Sequence, residues 1–191
     1  MKIQTFKGWL NEAAAPVPDT MIEDGLEIID GLVSRGFDPK VAAALAGNMW
    51  QESKFNPAVR PESAAYVGLI QWGDYLGKKQ GPGARKTNLI TKPNWKDREV
   101  QLDYIKNELD GAYKSVVPAV MSAPTIQKAA EIVARKYEGC ADPTNPNRLN
   151  AAAQLYTEWT ASNPDPMAFD PAQADQATDD SAFGEPATTQ Q

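Results

Sequence analysis

Apolar residues recur at helical spacing over most of the chain between residues 20 and 160, and this pattern predicts a mostly helical domain. Ile22, Leu26, Ile29 and Val33 share the face of a first helix, opened by a Thr20/Glu23 capping box and ended at Gly36. A second starts at Pro39 behind an Asp38 N-cap and runs until Pro57 forbids its continuation. At about 100° per residue, Val41, Leu45, Asn48, Met49 and Glu52 fall on one face of it. The short turn between the two makes them a packed helix pair. Further on, Val100, Tyr104, Ile105 and Leu109 mark a longer helix from Asp97 to Val117, stopped at Pro118. Thr125 caps the next, whose stripe is Ile126, Ala130, Val133 and Tyr137 and whose end is Gly139. Leu149, Ala152, Leu155, Tyr156 and Trp159 face inward from the last, Arg148 to Thr160.

Between the second and third of these helices the period changes. Asn56 to Ala65 reads as loop from Pro57, Pro61 and Ser63, and YVGLIQW, Tyr66 to Trp72, is the one run with β character. Gly73 to Lys92 follows as a flexible basic loop with a short helix near Ala84 to Ile90; its Lys78, Lys79, Arg85 and Lys86 read as a solvated face or, beside a cleft, as a hold on an anionic polymer. Met1 to Leu10 has the pattern of a short amphipathic helix before AAAPVPD breaks it. Past Ala161 the chain is Pro, Ala, Asp, Gln and Thr with almost no apolar anchors, which predicts disorder. The expected organisation is an N-terminal segment over 1–19, a domain of five or six helices with one small β element over 20–161, and a disordered acidic tail over 162–191.

Composition narrows the chemistry. The net charge of -6 sits in that tail, which holds six acids and no base, so the body is neutral. Without a basic surplus, double-stranded nucleic acid is not the expected ligand. No run reaches the roughly 20 apolar residues of a membrane span, and the N-terminus lacks the apolar core of a secretory signal peptide. Synthesis in a cytoplasm is the expectation, and the single Cys140 agrees with a reducing compartment. The count of zero histidines removes Ser-His-Asp triads, Cys-His nucleophiles and His-rich zinc sites together. A hydrolase built from this chain works with carboxylates, and no metal or cofactor is expected.

Glu52 is the carboxylate that stands out. It closes an apolar stripe at a helix C-terminus, where burial and the helix dipole would both disfavour its charged form. Glu-Ser, a one-residue gap and Phe-Asn-Pro follow one another here, and Gly-Leu-Ile-Gln-Trp comes after a loop. That pattern resembles the lysozyme-like lytic enzymes, and more closely the phage tail lysozyme domain, over roughly Thr20 to Trp159. The matching residues are GNMWQESKFNP, VGLIQW, QLDYIKNEL, Lys136 to Glu138 and Arg148.

The resemblance implies a lysozyme-like fold and a catalytic acid at Glu52. It places Ser53 as the residue orienting that carboxyl and Phe55 beneath the cleft floor. Gly68, Leu69, Ile70 and Gln71 would line the cleft opposite, the glycine admitting a sugar close to the backbone and the amide meeting its polar groups; Trp72 would either stack on a sugar or pack in the core. Asp74 is the leading candidate for a second carboxylate, with Glu62, Asp103 and Glu138 behind it; Tyr137, Glu138 and Arg148 read first as a structural network. Lytic transglycosylases need one glutamate only, since the substrate's 6-hydroxyl closes an anhydro sugar, so water and that hydroxyl both stay open as attacking groups. The implied substrate is bacterial peptidoglycan, cut between N-acetylmuramic acid and N-acetylglucosamine by a protein carried in a phage virion among other virion proteins. A non-catalytic virion adaptor that retains the fold, or an endolysin acting at lysis, are the rival readings. MKIQTFKGWLNEA also resembles the capsid-targeting leaders of some T-even-like phage head proteins, which would be cut after Glu12.

Overall fold

The computed structural model describes residues 16–75 and 83–164. The leader-like segment before residue 16 and its cleavage position, Lys78 and Lys79 of the basic loop and the acidic tail from residue 165 lie outside the described residues. Helices dominate: α1 Asp19–Val33, α2 Pro39–Ser53, α3 Arg85–Ile90, α4 Arg98–Asp110, α5 Val116–Met121, α6 Ile126–Val133 and α7 Pro146–Ser162, with a π-helical turn, Ala134–Glu138, continuing α6. No strand forms among the described residues, and the small β element is reduced to one antiparallel bridge between Val67 and Trp72.

α2 is the axis of the domain, with α1, α5, α6 and α7 packed around it. The single apolar stripe read from its sequence is therefore a whole circumference, and every residue from Val41 to Trp50 is buried. Four alanines and Gly47 make this possible, because small side chains let several helices approach one axis. The closest approach is at Gly47. A Cβ there would lie 2.6 Å from the Arg148 carbonyl oxygen and 2.6 Å from the Ala152 amide nitrogen, both backbone atoms of α7. Gly47→Ala should therefore push α7 away from α2 and cost at least about 1–3 kcal/mol. Chemical denaturation would show it as a lower midpoint; an unchanged midpoint would mean that the two helices are not in fixed contact.

Side-chain caps set the starts of α2, α4, α6 and α7. Asp38 accepts from Lys40 N at 2.8 Å, Asp97 from Glu99 N at 2.9 Å, Thr125 from Lys128 N at 3.1 Å and Asn145 from Asn147 N at 2.9 Å. These side chains satisfy amides that a first helical turn leaves unpaired. Three expectations change. The Thr20/Glu23 capping box does not form: extended Pro18 serves as N-cap, α1 starts at Asp19, and Thr20 lies inside the first turn. The long helix expected up to Pro118 divides at Gly111, whose backbone leaves the helical region. Pro118 instead occupies the first turn of α5, where a missing N–H costs nothing. The helix expected over α6 widens into the π turn before Gly139 ends it. Ahead of α1, Val17 is buried and exchanges hydrogen bonds of 2.8 and 3.1 Å with the Gln154 side chain on α7.

Candidate functional site

Glu52 stands in the last turn of α2, one residue before its end. Lys54 and Phe55 both take left-handed backbone angles, φ 54° and 63°, and turn the chain sharply. The turn returns the Phe55 ring to within 5.4 Å of Trp50 and lays the Lys54 ammonium 4.2 Å from the centre of the Trp50 ring. Phe55 is thus core packing under the end of α2. Ser53 is buried, and its hydroxyl donates to the Met49 carbonyl at 3.0 Å. That proton is committed to the helix backbone rather than to Glu52, so the expected orienting role passes to another residue.

The residue that orients Glu52 is Arg148, in the first turn of α7. Its Nη2 donates to Glu52 Oε1 at 3.1 Å and its Nη1 to Glu138 Oε2 at 2.9 Å. Nη1 also donates to Asn48 Oδ1. The Asn48 amide cannot turn the other way, because its nitrogen donates to Ala44 O at 2.8 Å and Ala130 O at 3.1 Å. α2, α7 and the π turn are thereby tied at one guanidinium. Arg148 and Glu138 side chains are each 4% exposed, whereas Glu52 is 24% exposed. Burial pushes the Glu138 carboxyl up to about 7; Arg148 pulls it down and the neighbouring Glu52 pushes it up further. Burial also lowers the Lys54 ammonium, against the pull of Glu52.

YVGLIQW folds as a tight hairpin rather than a strand. Val67 and Trp72 exchange both backbone hydrogen bonds, at 3.1 and 2.8 Å, and Gly68 and Gln71 take φ of 77° and 53°. Two left-handed residues within four reverse the chain before any ladder can extend. Gly68 is required for its φ and for space, since a Cβ would meet the Trp72 ring and the Gln101 amide at 2.8 Å. The Trp72 ring and the Gln101 amide occupy the space beside Gly68. Leu69 is fully buried, with its N–H on Gln101 Oε1 at 2.8 Å. Trp72 is 1% exposed, so of its two readings the core position is the one observed. Gln71 is half-buried and Ile70 buried, and both line a cleft of about 370 Å³ together with Asp74, Tyr75, Tyr137 and Glu138. Glu52 therefore reaches that wall through Arg148 and Glu138.

Of the second-carboxylate candidates, Asp74 lines the cleft but accepts from Thr87 N at 2.9 Å and Thr87 Oγ1 at 2.8 Å, holding the first turn of α3. Asp103 pairs with Arg35 at 2.7 Å and Glu62 is exposed in the loop after α2; neither lines the cleft. Glu138 is the candidate that the fold joins to Glu52. Among the described residues no group of three His, Cys, Asp or Glu side chains could hold a metal ion.

Behind the cleft lies a second polar centre. Glu108 on α4 accepts from Arg85 Nε at 2.7 Å, Arg85 Nη2 at 2.8 Å, Trp72 Nε1 at 2.9 Å and the Tyr137 hydroxyl at 2.7 Å. Burial works against the Arg85 charge, but the Glu108 hydrogen bonds and the neighbouring Tyr137 outweigh it and hold the guanidinium charged. Burial and Glu108 together raise the Tyr137 phenol far above its ordinary value, which keeps it a donor. Arg85 is thus a buried structural cation, not part of the solvated basic face expected there. Glu108 and Gln101 were not singled out in the sequence, although both fall in the QLDYIKNEL stretch.

Among the described residues no helix is long and apolar enough to cross a membrane. Compared with models of known families, the chain matches the one described as phage tail lysozyme over residues 24–159. No curated protein matches it.

Proposed function

The chain belongs to the phage tail lysozyme family, which points to a peptidoglycan-degrading, lysozyme-like function directed at the cell wall, and from that premise we propose that it is a virion-associated enzyme cutting the β-1,4 bond between N-acetylmuramic acid and N-acetylglucosamine, with Glu52 as general acid. One observation carries this reading: Glu52 is a part-exposed carboxyl held by an arginine that it shares with a buried carboxyl on the wall of a cleft. A carboxyl so placed has a fixed direction and access to solvent, both of which proton delivery requires. Glu52 gives its proton to the glycosidic oxygen as the bond to the anomeric carbon breaks with its electron pair on that oxygen.

The second half of the reaction follows from where the other acids sit. Asp74 is anchored by Thr87 and Glu138 is buried, so neither is presented as a nucleophile or as a base for water. This supports attack by the substrate's own 6-hydroxyl on the anomeric carbon, with its proton passing to the Glu52 carboxylate. Digestion of purified sacculi by the full chain, followed by mass analysis of the soluble muropeptides, tests both parts. Products one water lighter than the hydrolysed fragments are expected. Reducing ends instead would assign the attack to water, and sacculi that bind the protein but release nothing would overturn the enzyme reading in favour of a virion adaptor.

A further inference from the structure

We propose that Glu138 is the positioning partner of Glu52: by dividing the charge of Arg148 with it, Glu138 governs the charge state in which Glu52 meets the glycosidic oxygen. The inference rests on the reading of Glu52 as the acid. Two carboxylates on one guanidinium leave a unit of negative charge where Arg148 and Glu138 are each 4% exposed. A single proton makes the trio neutral, and in a dry site that is the cheaper state. Glu138 Oε1 and Arg148 Nε are both buried without a hydrogen-bond partner, so nothing on that side favours an ionised Glu138 over a neutral one.

The surroundings leave this balance to the trio itself. Lys54, from the end of α2, faces Glu52, but its ammonium rests on the Trp50 ring and is itself disfavoured by burial. Arg85, from α3, acts on Glu138 at longer range and is committed to Glu108. Cys140 follows the π turn, and burial, Glu138, Glu52 and Asp142 all raise its thiol against Arg148, so it adds no negative charge near neutrality. Asn48 is neutral and fixed. Burial pushes the Glu138 carboxyl up to about 7, against the pull of Arg148. Without Glu138, Arg148 would turn its whole charge on Glu52, which favours the charged carboxylate there.

The test is muropeptide release across pH by the full chain and by Glu138→Gln and Glu138→Asp. Glu138→Gln should keep activity in acid while its alkaline limb moves down by about one unit or more, since one unit corresponds to a tenfold change in the protonated fraction. Glu138→Asp, which keeps the charge, should restore most of the parental profile. A Glu138→Gln profile that superposes on the parent, or a uniform loss with unchanged shape, overturns the proposal. Should Glu138→Gln fail to fold, infrared titration of the parent and Glu52→Gln decides: the protonated-carboxyl band should titrate at lower pH in Glu52→Gln, and an unmoved band overturns the proposal. The infrared result does not depend on activity, so it separates failure of this inference from failure of Glu52 as the acid.

Discussion

Glu52→Gln is expected to lower muropeptide release from sacculi by about 10²–10⁴-fold, the range that a positioned general acid contributes. Glutamine preserves the shape of the side chain, and its amide oxygen can still accept from Arg148 Nη2. It cannot deliver a proton to the glycosidic oxygen. The fold should survive, because the substitution removes one of two negative charges competing for Arg148 and leaves Glu138 the sole anion on it. Thermal denaturation should therefore place the variant at or above the parent, which separates lost chemistry from lost structure. Release at the parental rate would mean that another group protonates the leaving oxygen.

That expectation was legible in the chain because its carriers are local. Asp38 and Pro39 set the start of α2 and Glu52 falls in its last turn, all within one stretch. Thr125 announced its helix by the same local chemistry. What the sequence concealed was pairing at a distance. Arg148 reaches Glu52 across 96 residues, and Arg85 reaches Glu108 across 23, with no periodicity to connect them. A basic residue among glycines and lysines looks solvated until a buried carboxylate is known to wait for it. In YVGLIQW the β element contracts to a single bridge for a different reason: its β-branched and aromatic residues have β character, while the left-handed angle at Gln71 is one that side chains rarely adopt and no propensity reveals.

The π turn couples the two polar centres. Consecutive residues of it serve opposite ones, Tyr137 donating to Glu108 and Glu138 accepting from Arg148. An α-helical register would turn neighbours about 100° apart, whereas the wider turn lets both face inward. The cleft wall thus has one side organised by Arg148, which also holds Glu52, and another organised by Arg85. The two guanidiniums hold the same short segment between them.

Arg85→Met should accordingly destabilise the domain by about 3–5 kcal/mol, the cost of removing one partner from a buried ion pair. The substitution takes two hydrogen bonds and the counter-charge from Glu108, which is 9% exposed, and a third hydrogen bond from the Tyr137 carbonyl at 3.0 Å. It also removes a guanidinium lying 4.7 Å from the ring centres of both Tyr113 and Tyr137. Methionine fills much of the volume, so the loss reports charge and hydrogen bonding more than a cavity. Trp72 Nε1 and the Tyr137 hydroxyl still donate to Glu108 in the variant but cannot neutralise it. Arg85→Met/Glu108→Gln should then be more stable than Arg85→Met alone, because the amide oxygen still accepts from those donors and no unpaired charge stays buried. Urea denaturation of the parent, the single and the double variant at one pH measures both differences. A single variant within about 0.5 kcal/mol of the parent, the range of ordinary surface substitutions, would mean that the pair does not brace the hairpin and the π turn. A double variant no better than the single one would place the loss in the stacking against Tyr113 and Tyr137 instead of in the charge.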